Sequence, residues 1–186
     1  SQLDPEEWRR VELRAFRPDQ YMIRREGAAG TFNTLMQDRA EFAGAVVHVD
    51  GQCQRQKLNN DLAARGVLFG DLGTLLREHG DVLQPYFGTQ AVSAERDRFS
   101  AWHAAFCTGG TVLYVPKGVT VEAPLYSLIA LSQDNTADFS HTLVILEDGA
   151  EATLLEETAS ASATTSGLHV GAVELLLGKE SRLRYA

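Results

Sequence analysis

The sequence predicts a mainly β fold of stacked coils that follows a region of mixed helix and strand. Before residue 109, apolar residues recur at helical spacing, and after it they form short runs rich in β-branched residues. A block of strand, charged corner with glycine, and strand then occurs three times, with its glycines nearly evenly spaced at Gly118, Gly149 and Gly178. Repeats of this length are typical of solenoids, in which each coil covers its neighbour's apolar face. A plain series of β-hairpins would give a similar pattern.

Composition bounds the organisation of the chain and the partners it can have. The 186 residues suffice for one domain or a small pair. We expect a helical and mixed α+β region over 1–92, and a linking helix with the first coils over 93–186. Residues 1–98 hold 13 basic and 15 acidic residues, whereas 99–186 hold 4 and 10, so the net charge of -8 is concentrated in the coils. This acidity argues against a general nucleic-acid binder.

The cellular setting predicted by the sequence is the cytoplasm. No apolar run approaches the ~20 residues that span a bilayer, and the chain opens with polar and acidic residues rather than a signal peptide. Cys53 and Cys107 are far apart and belong to no C-x-x-C or His/Cys cluster. A disulfide between them is possible, but a reducing compartment is the simpler interpretation. Ala186 ends a strand-like run, which predicts an open β edge and suggests a piece of a longer chain.

The amino-terminal part predicts a helix, a loop and a hairpin. Asp4 can cap a helix whose first position suits the following proline. Residues 27–30, with two glycines and two alanines, predict a loop. Ala45–Val49 predicts a strand, Asp50-Gly51 a hairpin turn, and the polar residues 52–57 a return strand at the sheet edge.

Two more helices are predicted before the coils. Asp71 can cap a helix with apolar residues on one side as far as Leu83, which Gly80 and a following proline help to end. Ser93 can cap the next helix, with an acidic residue in its first turn. That helix would bury an apolar stripe formed by Phe99, Trp102, Ala105 and Phe106.

In the first coil, the sequence predicts two strands joined by a corner. Val112 and its neighbours favour a strand, 116–118 a corner, and Val119 with Val121 the start of the next strand. Residues 158–167 are small and polar, which indicates a loop or an edge strand. Their hydroxyl groups could suggest phosphate binding, but a solvated loop is favoured.

Residues that could carry chemistry are scattered. We expect His103 to be a packed, hydrogen-bonded residue, because no second ligand stands four residues away, and Cys107 to be a small core residue. Glu156 and Glu157 form a carboxylate pair at a strand end, but neighbours on a strand point to opposite faces, so solvated side chains are expected. The four histidines with metal or catalytic potential fall in different elements: His48, His103, His141 and His169.

A phosphate-binding loop around Lys179 is excluded. Such a loop needs a glycine five residues before Gly178, where Val173 stands. It also needs Ser or Thr directly after the lysine, and Glu180 intervenes. The sequence therefore predicts a binding or scaffold module with no catalytic residue and no metal ligand, and it leaves cofactor-binding residues unknown.

Four motifs, in order along the chain, resemble one family. They are Glu6-Glu7-Trp8-Arg9; Ala45-Val-Val-His-Val-Asp-Gly51 with Leu58, Leu62 and Gly66-Val67; Phe99-x-x-x-His-Ala-Ala-Phe106 with Gly110 and Tyr114-Val-Pro-Lys-Gly-Val119; and His141-Thr-Leu-Val-Ile-Leu-Glu-Asp-Gly-Ala-Glu-Ala-Thr-Leu-Leu-Glu156. The V-P-K-G-V block is the most specific of them. Together they are similar to motifs of the SufB/SufD proteins of iron–sulfur cluster assembly, and to SufD more than SufB.

The resemblance implies a fold and a role. It implies the start of a right-handed parallel β-helix behind an amino-terminal α/β region. It also implies a non-catalytic scaffold or accessory subunit of a SufBCD-type complex, with SufB-like and SufC-like ATPase partners, a possible homodimer, and no nucleic-acid or membrane partner. The iron–sulfur cluster would be held transiently by the complex and not by this chain alone. In the family, the proposed cluster ligands lie in a carboxyl-terminal part, so none is carried over to this chain.

Two other interpretations remain open from the repeat alone. A β-helix can belong to a carbohydrate-active enzyme, which would place several carboxylates on one concave face. It can also be a purely structural β-solenoid. The carboxylates of this sequence are scattered, which argues against the enzyme and leaves the structural solenoid open.

Overall fold

A computed structural model describes residue 13 and residues 15–24, 42–88, 92–107 and 109–186. The predicted helix from Asp4 and the predicted loop at 27–30 lie outside these ranges. The strands are β1 Met22–Ile23, β2 Gly44–Val49, β3 Gln52–Leu58, β4 Leu68–Asp71, β5 Gly109–Val115, β6 Leu125–Leu131, β7 Thr136–Asp138, β8 Ser140–Leu146, β9 Glu151–Ser160, β10 Gly167–His169, β11 Ala172–Leu177 and β12 Arg182–Tyr185. The helices are α1 Asn60–Ala64, α2 Leu72–Glu78, α3 Gly80–Leu83 and α4 Arg98–Phe106, with a 3-10 turn at Pro18–Gln20. The fold is mainly β, as predicted.

The strands form three sheets in which most neighbours are parallel. The sheet orders are β1-β7-β10, β11-β8-β5-β4, and β12-β9-β6-β2-β3. Register partners recur at a nearly constant distance along the chain: Gly109 with Ser140, His141 with Ala172, Thr136 with Gly167, Glu151 with Arg182, and Leu125 with Leu154. The first four pairs share one offset, and the partners in the last pair are slightly closer in sequence. A series of hairpins would pair neighbouring strands antiparallel, so it does not describe β5 to β12.

The three predicted glycine corners stack on one another. The Gly118 amide donates to the Asp148 carbonyl at 2.9 Å, and the Gly149 amide donates to the Lys179 carbonyl at 2.8 Å. Each corner therefore hydrogen-bonds to the next one along the chain. This contact explains the repeat spacing, because the corners must return to the same position.

The hairpin predicted at Asp50-Gly51 is confirmed. Both residues have positive φ, 51° and 77°, which is the backbone of the turn that suits a right-handed strand twist. β2 is buried throughout, whereas β3 is largely exposed and lies at the end of its sheet, as predicted for the polar residues 52–57.

The second strand of the first coil starts later than predicted. Val119 and Val121 do not begin a strand; Thr120 forms only a single bridge to Glu151, and regular pairing starts at Leu125. Pro124 lacks a backbone N–H, so the ladder can continue only beyond it. The stretch 158–167 divides into the end of β9, a turn and the start of β10.

Two helix predictions need correction. Asp71 does cap α2 and accepts a hydrogen bond from the Thr74 amide, but α2 ends at Glu78. A separate short helix, α3, begins at Gly80, so no single helix extends to Leu83. The cap of α4 is Asp97, which accepts from the Ser100 amide at 2.9 Å, and not Ser93. Asp and Ser cap helices about equally well, and it is the side chain of Asp97 that reaches an amide three residues further along.

The predicted apolar stripe of α4 is only partly right. Phe99 and Trp102 pack against each other and against Phe16, with ring centroids 5.4 to 6.2 Å apart. Phe106, however, is 48% exposed, and His103 is the buried residue of the helix. The side that α4 turns to the sheet is therefore polar at its centre.

The described residues form an apolar core with three parts. The largest lies between the second and third sheets and includes Leu113, Leu125, Val144 and Leu154. Another joins α2 and α3 to the opposite face of β5 and β8. The third covers the other face of β2 and β6, around Tyr126 and Leu128. Burial of both faces of β6 and β8 accounts for their continuous apolar sequences.

Strands from both sides of residue 92 share sheets: β2 pairs with β6, and β4 pairs with β5. The predicted division at 92/93 stays a prediction. Among the described residues, every helix falls short of the length and apolar character that a membrane crossing needs.

Candidate functional site

A group of histidines and carboxylates, all buried except His169, lies where α4 meets the strands. Its members come from α4, β7, β8, β10 and β11, and the name histidine–carboxylate cluster is used for them below. They are His103, Asp138, His141, His169 and Glu174. The stacked register brings them together, because Asp138 is the direct partner of His169, and His141 lies one strand from Glu174.

Asp138 is the centre of one half of the cluster. It is completely buried, and its Oδ2 accepts hydrogen bonds from the Ser140 hydroxyl at 2.8 Å and His169 Nδ1 at 2.7 Å. Its Oδ1 is buried without a hydrogen-bond partner among the described residues. A buried carboxylate normally has partners for both oxygens, so this half of the cluster is incompletely satisfied.

His141 and Glu174 form the other half. His141 Nε2 donates to Glu174 Oε2 at 3.2 Å, and Glu174 Oε1 accepts from the Val92 amide at 3.2 Å. The His103 ring lies 5.2 Å from the His141 ring, and its Nε2 donates to the Ser140 carbonyl at 3.0 Å. These bonds tie α4 and residue 92 to the sheet.

Burial sets the charge of both imidazoles. Burial lowers the pKa of His103, and the neighbouring His141 adds to this effect, while the Ser140 carbonyl and the charges of Asp138 and Glu174 oppose it. Burial also lowers the pKa of His141 against the opposing charge and hydrogen bond of Glu174. Both rings are therefore neutral at pH 7 and each uses one nitrogen as a donor.

The other histidine and the cysteines lie apart from this cluster. His48 on β2 contacts Asp71 at the end of the coils where β3 and β4 are the edge strands of their sheets. Cys53 is exposed, Cys107 is half-buried, and both are free. Cys107 packs against the core under α2, as predicted, and burial raises the pKa of its thiol. Burial and the charge of Asp71 raise the pKa of Cys53 to about 11.

Glu156 and Glu157 point to opposite faces of β9, as predicted, but they lie in mid-strand and not at its end. Glu156 accepts from Thr142 Oγ1 at 2.7 Å and from the Tyr185 hydroxyl at 2.8 Å. Glu157 accepts from the Tyr126 hydroxyl at 2.7 Å. Neither carboxylate is merely solvated, because each is held by side chains of neighbouring strands.

The backbone of Lys179 belongs to the stacked corners. Its amide donates to Asp148 Oδ1 at 2.8 Å, so this amide bonds to the preceding corner.

Sequence reasoning found the histidines of the cluster but missed Asp138 and Glu174. The signal was present in the repeat, since Asp138 and His169 are separated by the same offset as the stacked strands. Comparing polar residues at that offset would have indicated the pair. Nothing in the local sequence places Glu174 beside His141.

The fold defines the class of the chain as a mainly β repeat protein with parallel strands stacked at a nearly constant offset. Two family models match consecutive parts of it. The model described as SufBD protein N-terminal region matches residues 41–126, and the model described as SUF system FeS cluster assembly, SufBD core domain, matches residues 129–186. The chain belongs to the SufB/SufD family.

Curated relatives agree with this membership. Proteins named iron-sulfur cluster assembly SufBD family protein from Staphylococcus saprophyticus and Staphylococcus haemolyticus are each 30% identical to it over 158 residues. One from Staphylococcus aureus is 29% identical over the same length. The match covers 83% of this chain and 34% of each relative. The chain therefore spans about a third of the length of the curated relatives it matches.

Proposed function

We propose that this chain is part of a non-catalytic scaffold subunit for iron–sulfur cluster assembly by the SUF system. The observation that carries the proposal is the pair of family matches, which occur in order and together span nearly all of 41–186. The names of the curated relatives refer to the same process. Within that process, we propose a SufD-like accessory role in iron acquisition and cluster assembly in the cytoplasm.

The proposed architecture is the start of a right-handed parallel β-helix. Three observations support it: β5, β8 and β11 pair parallel, β6, β9 and β12 pair parallel, and the offset between stacked strands stays nearly constant. A chain that visits three sheets in turn and returns to each with this offset follows a helical course. Right-handedness is the rule for connections between parallel strands.

The proposed partners are a SufB-like subunit and a SufC-like ATPase. A rigid stack of parallel strands suits a scaffold, because it holds positions on successive strands at fixed distances. Iron and sulfide are substrates of the complex in this proposal, and the chain by itself holds no cluster. A homodimer is the competing assembly.

Co-expression of the complete reading frame with the SufB-like and SufC-like proteins of the same organism tests the partners. We expect the three proteins to co-elute on size exclusion after affinity capture of one of them. A matched pair of variants, Gly110→Ala and Gly80→Ala, tests whether the stack is needed, since only the first places a Cβ against a neighbouring strand. Elution of the wild-type protein without either partner would refute the proposed complex.

Anaerobic reconstitution of this chain alone with iron and sulfide tests the cofactor expectation. We expect no acid-labile sulfide in the repurified protein. A brown protein with stoichiometric sulfide would show that this part of the molecule binds a cluster unaided, which would contradict the proposal.

A carbohydrate-active enzyme is the less favoured alternative. Such enzymes use two carboxylates across one scissile bond, whereas Glu156 and Glu157 face opposite sides of β9 and are hydrogen-bonded to different tyrosines. Hydrolysis of acidic polysaccharides by the purified protein would reverse this preference.

A further inference from the structure

Three side chains with metal-binding atoms lie close together at the end of the coils where β3 and β4 are the edge strands of their sheets. His48, Cys53 and Asp71 each place one potential ligand atom within 4.8 Å of the others. His48 Nε2 is 3.1 Å from Asp71 Oδ1. We propose that these residues, called the His48–Cys53–Asp71 site below, bind one divalent transition-metal ion and leave its fourth coordination position open.

The hairpin turn at Asp50-Gly51 sets this meeting. Val49 lies opposite Gln52, so the next pair along the two strands is His48 with Cys53. Opposite residues of an antiparallel pair lie on the same face of the sheet, which places the imidazole beside the thiol. The register shifts directly after this pair, where Val47 lies opposite Arg55 and Gln54 is left over. The ladder is therefore irregular beside the proposed ligands, as is common next to functional sites.

Asp71 is held in place by contacts that leave one oxygen for the ion. Its Oδ2 accepts from the Thr74 amide at 2.9 Å and from the Thr74 hydroxyl at 2.8 Å. Its own amide donates to Gln56 Oε1 at 2.9 Å. Oδ1 therefore faces His48 from a fixed carboxylate. Hydrogen bonds of this kind around a ligand orient it and strengthen metal binding.

His48 can offer Nε2 to the ion because nothing commits its other ring nitrogen. The residue is 1% exposed, and its Nδ1 is buried without a hydrogen-bond partner in the described part of the chain. In the structure the Nε2–H donates to Asp71 Oδ1. A neutral imidazole carries its proton on one nitrogen only, so an ion that takes the place of this proton moves it to Nδ1 and binds the freed Nε2 lone pair. Two ligands of one tetrahedral Zn²⁺ ion stand about 3.3 Å apart. The observed separation of Nε2 from Oδ1 is close to that spacing.

The donor set indicates which ions fit. Sulfur, imidazole nitrogen and carboxylate oxygen together suit Zn²⁺, Fe²⁺ and Co²⁺, whereas Mg²⁺ and Ca²⁺ prefer oxygen ligands alone. Three protein ligands with an open position are typical of sites that exchange a ligand rather than closed structural sites. Cys53 is exposed, so solvent provides the entry path to the ion.

Titration of the reduced chain with Co²⁺ tests the proposal, because a bound thiolate gives a charge-transfer absorption band. We expect one Co²⁺ per chain, displacement by Zn²⁺, and no displacement by excess Mg²⁺. Cys53→Ser should abolish the band. The matched control Cys107→Ser, which changes the only other cysteine of the sequence, should keep it.

A second variant distinguishes the loss of a metal ligand from a loss of folding. Asn caps helices about as well as Asp, so Asp71→Asn should preserve α2 while it weakens Co²⁺ binding at least about tenfold. Circular dichroism of each variant checks the fold. Absence of a charge-transfer band in the wild-type chain, or its survival in Cys53→Ser, would overturn the proposal.

The inference stands apart from the proposed function. The titration uses neither partner subunits nor sulfide. Binding of Co²⁺ without co-elution of SufB-like and SufC-like proteins would refute the assembly role alone. Co-elution without a charge-transfer band would refute the metal site alone.

Discussion

Gly110 lies against the backbone of His141 on the neighbouring strand, and no side chain fits between them. A Cβ atom at residue 110 would be 2.0 Å from the His141 carbonyl oxygen and 2.5 Å from its nitrogen. The φ angle of Gly110 is 142°, a region that other residues rarely adopt. This contact fixes how closely β5 and β8 stack at the start of the first two coils.

Gly110→Ala should therefore destabilise the protein by about 3 kcal/mol or more, since it adds both a backbone clash and an unfavourable φ. Urea unfolding followed by circular dichroism measures this change. Gly80→Ala is the matched control, because residue 80 opens α3 and a Cβ there would meet no atom within 4 Å. That control should be neutral or stabilising by up to about 1 kcal/mol. Equal stability of the two variants would contradict the stacking of β5 on β8.

The cap of α4 gives a second prediction. Asp97 is buried and accepts from the Ser100 amide, so Asp97→Ala should cost about 1 kcal/mol of unfolding free energy. Ser93 lies outside the helix and its hydroxyl accepts from the Glu95 amide at 3.2 Å, so Ser93→Ala should change stability by less than about 0.5 kcal/mol. Thermal or urea unfolding of both variants compares them. A larger loss of unfolding free energy for Ser93→Ala than for Asp97→Ala would show that Ser93 caps α4, as the sequence predicted.

The sequence could predict features whose cause is local. Asp50-Gly51 forms its turn because both residues tolerate positive φ, and Asp71 caps α2 because its side chain reaches an amide three residues on. The corners at Gly118, Gly149 and Gly178 were visible because stacking imposes a nearly constant spacing along the chain. Each of these features depends on residues near one another or on a simple period.

Other features depend on contacts between distant residues and could not be predicted. His103 is buried because its ring donates to the Ser140 carbonyl, 37 residues further along the chain. The register shift between Val47 and His48 is a property of how the two strands pair. Equal spacing from the turn would have set Val47 opposite Gln54, whereas it lies opposite Arg55.

A hydroxyl–carboxylate pair inside the second coil gives a third prediction. Thr142 is buried and donates to Glu156 at 2.7 Å from a neighbouring sheet. Thr142→Val keeps the shape but removes the donor, so it should cost about 1.5 kcal/mol, the usual loss for a hydrogen bond to a charged group. Thr153→Val, on the other face of β9, is the control and should stay within about 0.5 kcal/mol of wild type. Indistinguishable values from urea unfolding would show that the pair contributes nothing.

The last prediction concerns pH and the pair His103 and His141. Burial lowers the pKa of both rings in the folded state, while Asp138 and Glu174 face them and oppose this shift. The unfolded chain, with histidine pKa values near 6.5, binds protons first as the pH falls. Acidification from pH 7 to 5 should therefore lower stability, by at most about 1.4 kcal/mol per pH unit for each histidine. His103→Gln and His141→Gln should each flatten this slope in urea unfolding measured across that range, and the double variant should flatten it most. A slope unchanged in the double variant would mean that other groups cause the acid sensitivity.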